Sequence, residues 1–369
     1  MRSNKRLAIS ILAVAAVIVV AAVALISLAG GSKEPGTVPG AVTGLQVERI
    51  DAGSVQLSWK QVKDAKTYEV YRSQDNTDQY ELTDVVKAPE GTSWTDANCD
   101  EKTIFFYKVR AISDQEGPFS EDVASGEIAY QIPVFAYHRF CAKVHWEEKG
   151  TGNYLFCDQS EFERQMKYLA DNHYRTITSD EIYRWHEGQM ELPKKTVMLT
   201  MDDGNRSVLM YALPVLEKYD LNATVFIIGS SMPKVTDYEE YAVDSYHHMG
   251  EDLMNQTMEE SDNLDFQSHT YDLHHSVNGE RAMKVATKEE LETDTAYMNE
   301  TYGFTSLAYP FGTYTDEMID VLNENGNYTV AFTYGDDAYT TRFDDRFKMN
   351  RIKVYGSTTY EEFLNWLDY

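Results

Sequence analysis

Cysteine is scarce in this chain: Cys99, Cys141 and Cys157 are the only three in 369 residues. Three thiols make no disulfide framework, and their spacing fits no zinc knuckle. A Cys141–Cys157 pair outside the cell and three buried free thiols both fit the count. Basic residues are short as well, 33 Lys and Arg against 60 Asp and Glu, for a formal charge of −27. So acidic a surface repels nucleic acid, which excludes that class of partner, and repels anionic polymers at long range. Acidity also serves solubility, whatever the ligand.

Charge is nearly missing from the first thirty residues, where only Arg2, Lys5 and Arg6 carry it. An apolar run from Leu7 to Leu28 follows, long enough to cross a bilayer. Basic residues before such a run predict a cytoplasmic N-terminus and an exported remainder. Residues 1–29 are therefore expected to be a single-pass membrane anchor with extracellular domains behind it. Cleavage at Ser27-Leu28-Ala29 would instead give a secreted protein. No cysteine follows Ala29-Gly30, which excludes a lipid-modified N-terminus there. Residues 30–40, rich in Gly, Pro, Ser and Thr, read as a flexible linker.

From 41 to 129 short strands alternate apolar and polar, as in Val55-Gln56-Leu57-Ser58-Trp59 and Phe105-Phe106-Tyr107-Lys108-Val109. Turn signals such as Asp51-Ala52-Gly53 separate them, the pattern of an all-β sandwich. From 131 to 369 the periodicity changes. Strands are predicted at Val134–Tyr137, Arg175–Thr178, Thr196–Met201, Ala223–Ile228, Leu264–Ser268, Ser306–Tyr309, Tyr328–Phe332 and Ile352–Val354. Helical segments lie between most of them, and Ser160, Thr287 and Thr359 each open a capping box with Glu three residues on. This alternation indicates a parallel α/β sheet.

Chemistry concentrates at strand ends. Asp202 and Asp203 follow the apolar run Val197–Met201 and precede Gly204. Taken alone, Asp-Asp-Gly also serves as a turn. His269 and His274 stand five apart, so no helix face holds both. They can converge from a loop or a strand end. One carboxylate and two imidazoles can bind a divalent metal, while the second carboxylate takes a proton from water: the kit of metal-assisted hydrolysis. Between these motifs, Met232–Ser261 reads as an insertion that either walls a substrate groove or lies in solvent.

Thr200-Met201-Asp202-Asp203-Gly204 resembles the Thr-Phe-Asp-Asp-Gly motif of polysaccharide deacetylases, the NodB-type carbohydrate esterases of family 4. His269-Thr270 with His274 resembles that family's second motif, with the longer spacing of the branch acting on poly-N-acetylglucosamine. Ala308-Tyr309-Pro310-Phe311-Gly312 is similar to the third motif, Arg-x-Pro-Tyr, and Ile132–His138 to the opening strand. Residues 41–129 resemble a fibronectin type III module, with Trp59 and Tyr107 as core positions. The resemblance implies a distorted (β/α) barrel over 131–369, with Asp202 as general base and Asp203, His269 and His274 as metal ligands. It also implies a Phe311 N–H in the oxyanion hole, and zinc or another divalent transition metal as cofactor. The implied activity is N-deacetylation of an N-acetylglucosamine-containing polysaccharide, peptidoglycan or an exopolysaccharide. The acidic surface would tolerate such a neutral glycan and favour the amines left behind.

Two family residues are missing. No histidine follows His275 to serve as acid, and Ala308 stands where an arginine usually orients the base. His138 is the substitute acid expected here, with His275 a further candidate. Asp272 is expected to orient a ligand histidine. The two gaps motivate a rival reading, a catalytically silent glycan-binding protein. A third reading is an O-deacetylase of the acetylxylan type.

Overall fold

A computed structural model describes residues 36–142, 155–237, 247–335 and 338–368. The expected anchor, 1–29, and the first half of the linker lie outside the described residues. Among the described residues no helix is long and apolar enough to cross a membrane.

The first region is β-rich, as expected. Strands Gln46–Asp51, Ser54–Ser58 and Ser93–Asp96 form one antiparallel sheet. Thr67–Gln74, Glu81–Lys87, Phe105–Ile112, Glu116–Phe119 and Val123–Ala124 form a second. Alternation turns Tyr68, Val70, Tyr107 and Val109 inward, where they meet Val55, Leu57 and Trp59. Tyr107 Oη donates to Asp96 at 2.9 Å, and Arg72 pairs with the same carboxylate at 2.8 Å. One buried acid thus bridges the two sheets. All three cysteines are buried free thiols.

The second region is built on eight parallel strands: β1 Val134–Tyr137, β2 Arg175–Thr176, β3 Thr196–Met201, β4 Ala223–Ile227, β5 Leu264–Ser268, β6 Ser306–Ala308, β7 Val330–Phe332 and β8 Ile352–Lys353. They run in the order β7-β6-β5-β4-β3-β1-β8, with β2 beside the first half of β3. A single parallel bridge, Phe332 to Met349, ties one edge to the segment entering the other. β3 and β4 are buried at every residue, which is why they read as continuous apolar runs. Alternation still divides them: Val197, Leu199 and Met201 enter one core cluster, Met198 another.

The longer helices are α1 Gln159–Asp171, α2 Ser179–His186, α3 Leu213–Tyr219, α4 Glu251–Glu260, α5 Lys288–Tyr302, α6 Asp316–Asn325 and α7 Tyr360–Asn365. Capping boxes open α5 at Thr287 and α7 at Thr359, as expected. α1 differs. Its cap is Asp158, whose carboxylate accepts from the N–H groups of Ser160 and Glu161. Asp158 precedes Ser160 and carries a full charge toward the helix N-terminus, so it takes the role. A further box, Thr178 with Glu181, opens α2.

The sandwich docks on the barrel end where strands begin. Arg175, the first residue of β2, donates to Lys102 O at 2.9 Å. Ala129 N donates to Leu192 O at 2.8 Å, and Trp185 Nε1 to Ala129 O at 3.2 Å. A cleft of about 420 Å³ lies between the two regions, lined by Arg49, Glu101, His173 and Lys195 among others. It sits at the wrong end of β3 for the aspartates.

Candidate active site

Asp202 and Asp203 lie directly after β3, His269 directly after β5, and His138 after β1. Parallel strands deliver their C-terminal ends to one face, so residues 131 positions apart in sequence can meet. They do meet, around a cavity of about 590 Å³ lined by His138, Asp202, Asp203, His248, His269, His274, Arg281, Phe311 and Tyr334 among others.

The loops holding these groups use backbone that side chains rarely adopt. Asp203, Thr270 and Phe311 have φ of 75°, 70° and 59°. For the β-branched Thr270 this conformation is costly and needs outside support. Support is present. Thr270 N donates to Ser268 Oγ, its Oγ1 accepts from Leu273 N, and its carbonyl accepts from Gly229 N. Asp294 on α5 accepts from the N–H groups of Tyr271 and Asp272, both at 2.8 Å. Gly312, at φ 69°, passes so close to Tyr334 that a Cβ there would fall 2.5 Å from its backbone nitrogen.

The three residues expected to bind a metal come together. Asp203 Oδ1 stands 3.6 Å from His269 Nε2 and 3.5 Å from His274 Nε2. Donor atoms of the three residues all lie within 4.8 Å of one another. Two ligands about 2.1 Å from one tetrahedral ion stand roughly 3.4 Å apart, so the spacing fits a shared cation. Asp203 Oδ1 is buried and makes no hydrogen bond, an acceptor left for something else. His269 Nδ1 lies 2.7 Å from Ala308 O. A carbonyl only accepts, so Nδ1 carries the proton and Nε2 presents its lone pair to the site. Burial also pushes the His269 imidazole down to about 4, against the pull of Asp202 and Asp203, so it is neutral at physiological pH. The partner expected for a ligand histidine, Asp272, is not the one used: the backbone of Ala308 does that work.

Asp202 stays out of the ligand set. Arg351 grips it in a fork, Nη1 to Oδ1 at 2.7 Å and Nη2 to Oδ2 at 2.8 Å. Arg351 is fully buried and also donates from Nε to Thr333 O. Burial alone would raise the Asp202 carboxyl; the Arg351 charge outweighs it, helped by His269 and His138, and holds the group well below the usual carboxylate range. The arginine absent at Ala308 is thus supplied from the start of β8. No sequence motif pointed to it.

His138 Nε2 lies 4.0 Å from Asp202 Oδ2, and its ring packs edge-on against Tyr334. Its Nδ1 is buried without a hydrogen-bond partner. His275, the further acid candidate, is exposed and does not line the cavity. The insertion reaches the site through His248, whose Nδ1 donates to Asp203 O at 2.9 Å. His248 and Met249 pair with the Gly204–Asn205 turn rather than joining the ligand set. Phe311 covers His274, ring centroids 4.3 Å apart.

A buried Asp/His/His cluster beside an arginine-held carboxylate, on the C-terminal face of a parallel barrel, defines a hydrolase of the polysaccharide deacetylase class. The family model described as polysaccharide deacetylase matches residues 189–330. The poly-beta-1,6-N-acetyl-D-glucosamine N-deacetylase of Staphylococcus epidermidis is 30% identical over 214 residues, 56% of this chain and 70% of that one. The chain belongs to the polysaccharide deacetylase family. Among solved structures, a polysaccharide deacetylase from Bacillus cereus matches with a TM-score of 0.55 at 20% identity, covering 90% of this chain and all of that one. The Streptococcus pyogenes deacetylase PplD matches at 0.53 and 22% identity, over 64% of this chain and 98% of that one. At such identities these two establish a shared fold.

Proposed function

We propose that this chain is a metal-dependent N-deacetylase of an N-acetylglucosamine-containing polysaccharide, peptidoglycan or an exopolysaccharide. The observation that carries it is the division of labour between neighbours: Asp203 faces two imidazoles, while Asp202 is kept apart and ionised by Arg351. Asp203, His269 and His274 would hold a divalent cation, zinc or another transition metal. Such an ion, when bound, polarises a carbonyl and lowers the pKa of water beside it. Asp202 accepts the proton of the attacking water, and Arg351 keeps both carboxylate oxygens ionised and fixed for that transfer. The Phe311 N–H donates to the carbonyl oxygen as it gains charge. His138, whose Nε2 lies 4.0 Å from Asp202, gives a proton to the departing amine. An acetamide and an amine product suit the cavity, and the S. epidermidis relative's stated substrate supports an amide over an ester.

The silent-binder reading rested on two missing residues. Arg351 beside Asp202 and His138 at 4.0 Å from it offer substitutes for both, which weighs against that reading. We keep the sandwich as a fibronectin type III-like spacer, supported by its two-sheet core around Trp59 and Tyr107. Placement at the cell surface rests on the apolar run Leu7–Leu28 alone.

The test is acetate release from poly-β-1,6-N-acetylglucosamine oligomers, peptidoglycan glycan strands and acetylxylan, with and without added divalent metal. Metal-dependent acetate from the amide substrates is expected. Faster release from acetylxylan would reassign the chain as an esterase, and no acetate from any polymer would restore the silent binder.

A further inference from the structure

The active cavity contains one cation that the chemistry above leaves unused. Arg281 closes a short hairpin, Ser276–Val277 against Glu280–Arg281, turned by Asn278 and Gly279 at φ 52° and 89°. The hairpin follows His274 directly and leans Arg281 over the cavity mouth. Its guanidinium carbon lies 3.6 Å from the centroid of the Phe311 ring. That ring in turn covers His274. Arg281, Phe311 and His274 therefore form one stack, from solvent down to the ligand set.

A guanidinium held over a ring face keeps its N–H donors available at its edge. Those donors are poorly used. Among the described residues, the one hydrogen bond they make is a 3.4 Å contact from Nη1 to Ser276 Oγ. No carboxylate of the described residues lies within ion-pair distance of Arg281, although acids outnumber bases by 60 to 33 in the chain. The other charges of the cavity are accounted for. Asp202 is paired with Arg351, and Asp203 faces two histidines. A held, exposed guanidinium edge without a protein acid is a receptor for an oxyanion from the ligand.

We infer that Arg281 selects an acidic glycan: an N-acetylhexosamine polymer bearing a carboxylate or phosphate close to the acetamide that enters the site. This deepens the deacetylase reading and rests on it for the identity of the site. The acidic surface of the chain repels such a polymer at long range, so the short-range contact at Arg281 is what admits it.

Binding without turnover tests the inference. In the Asp202→Asn chain, affinities are measured by calorimetry at fixed salt for three matched oligosaccharides: neutral N-acetylglucosamine, one with a 3-O-lactyl carboxylate on the neighbouring sugar, and one with a phosphate there. Both acidic ligands, or one of them, bind about tenfold tighter than the neutral one, and Arg281→Gln abolishes the difference. The tighter acid names the natural substituent. Equal affinity for neutral and acidic ligands, or a preference that survives Arg281→Gln, overturns the inference. In the active chain, Arg281→Gln lowers the acidic-to-neutral ratio of kcat/KM about tenfold. An equal loss on both substrates would overturn it too, since Arg281 would then only position Phe311. A chain that releases no acetate but keeps the Arg281-dependent preference would sink the deacetylase reading and leave this one standing.

Discussion

At the residue scale the site turns on Asp202 and Asp203, adjacent in sequence and opposite in role. The convergence of Asp203, His269 and His274 was readable in advance, because each lies in a recognisable motif. Arg351 was not. It pairs with Asp202 across 149 positions, and nothing local distinguishes it from any arginine at a strand start. Its burial makes it consequential. Arg351→Lys replaces a two-point fork by a point charge, so Asp202 stays ionised but loses its orientation. The expected result is kcat reduced about 100-fold with metal content unchanged, by acetate kinetics and metal analysis. Arg351→Met leaves a buried carboxylate unpaired and is expected to cost about 3–5 kcal/mol in urea unfolding. In the ligand set, Asp203→Ala and His269→Ala are expected to abolish zinc uptake, while Asp202→Asn retains uptake and loses turnover. His138→Ala is expected to slow turnover about 10²-fold without loss of metal. An unchanged rate would send the acid's role elsewhere in the cavity.

At the element scale, strands were more legible than loops. Thr196–Met201, where full burial makes a mostly apolar run, and Leu264–Ser268, where apolar and polar residues alternate at the start, both occur at their expected bounds. Loop geometry depends on partners far along the chain. Asp294 sits mid-helix in α5 and looks like a surface acid by sequence, yet it is buried and holds the turn between the two ligand histidines. The hairpin carrying Arg281 did have a readable signal, Asn278-Gly279, a turn dipeptide that favours tight hairpins. Asp294 makes a pH prediction. Burial raises its carboxyl to about 6, against the two N–H bonds that lower it. Between the unfolded value near 3.8 and about 6 the folded chain binds more protons than the unfolded one, so stability from this group falls as pH rises through that window. Comparing wild type with Asp294→Asn cancels the other titrations. Wild type should gain relative stability from pH 7.5 to pH 5, by about 1–1.5 kcal/mol in urea unfolding. A difference that grows toward high pH would show the carboxylate to be favoured by its N–H partners instead. At pH 7.5 the Asn variant presents an amide N–H to a backbone N–H, so weaker zinc affinity is also expected.

At the scale of the whole molecule, the two ends of the barrel carry different duties. The strand C-termini hold the cavity, and the strand N-termini receive the sandwich. Strand–helix alternation announced the barrel, and period-two alternation announced the sandwich. Their docking was illegible, because much of it runs through backbone carbonyls that no side-chain pattern records, Lys102 O, Ala129 O and Leu192 O, and its ion pairs, such as Lys194–Glu127, join residues far apart in sequence. This arrangement keeps the sandwich away from the cavity at the strand C-termini. Arg175 is the place to test it. It donates to Lys102 O, pairs with Glu181 at 2.5 Å, and approaches Asp75 at 3.9 Å, so it joins both regions at the first residue of β2. Arg175→Ala removes one partly buried hydrogen bond from a charged donor and one partly buried ion pair. It is expected to destabilise the chain by about 1–3 kcal/mol in urea unfolding. The same variant should keep kcat and zinc affinity, because β3 runs its full length between Arg175's neighbours and Asp202. A folded Arg175→Ala chain with collapsed kcat would mean that the sandwich sets the cavity's geometry through the strands, and a passive spacer could not account for that.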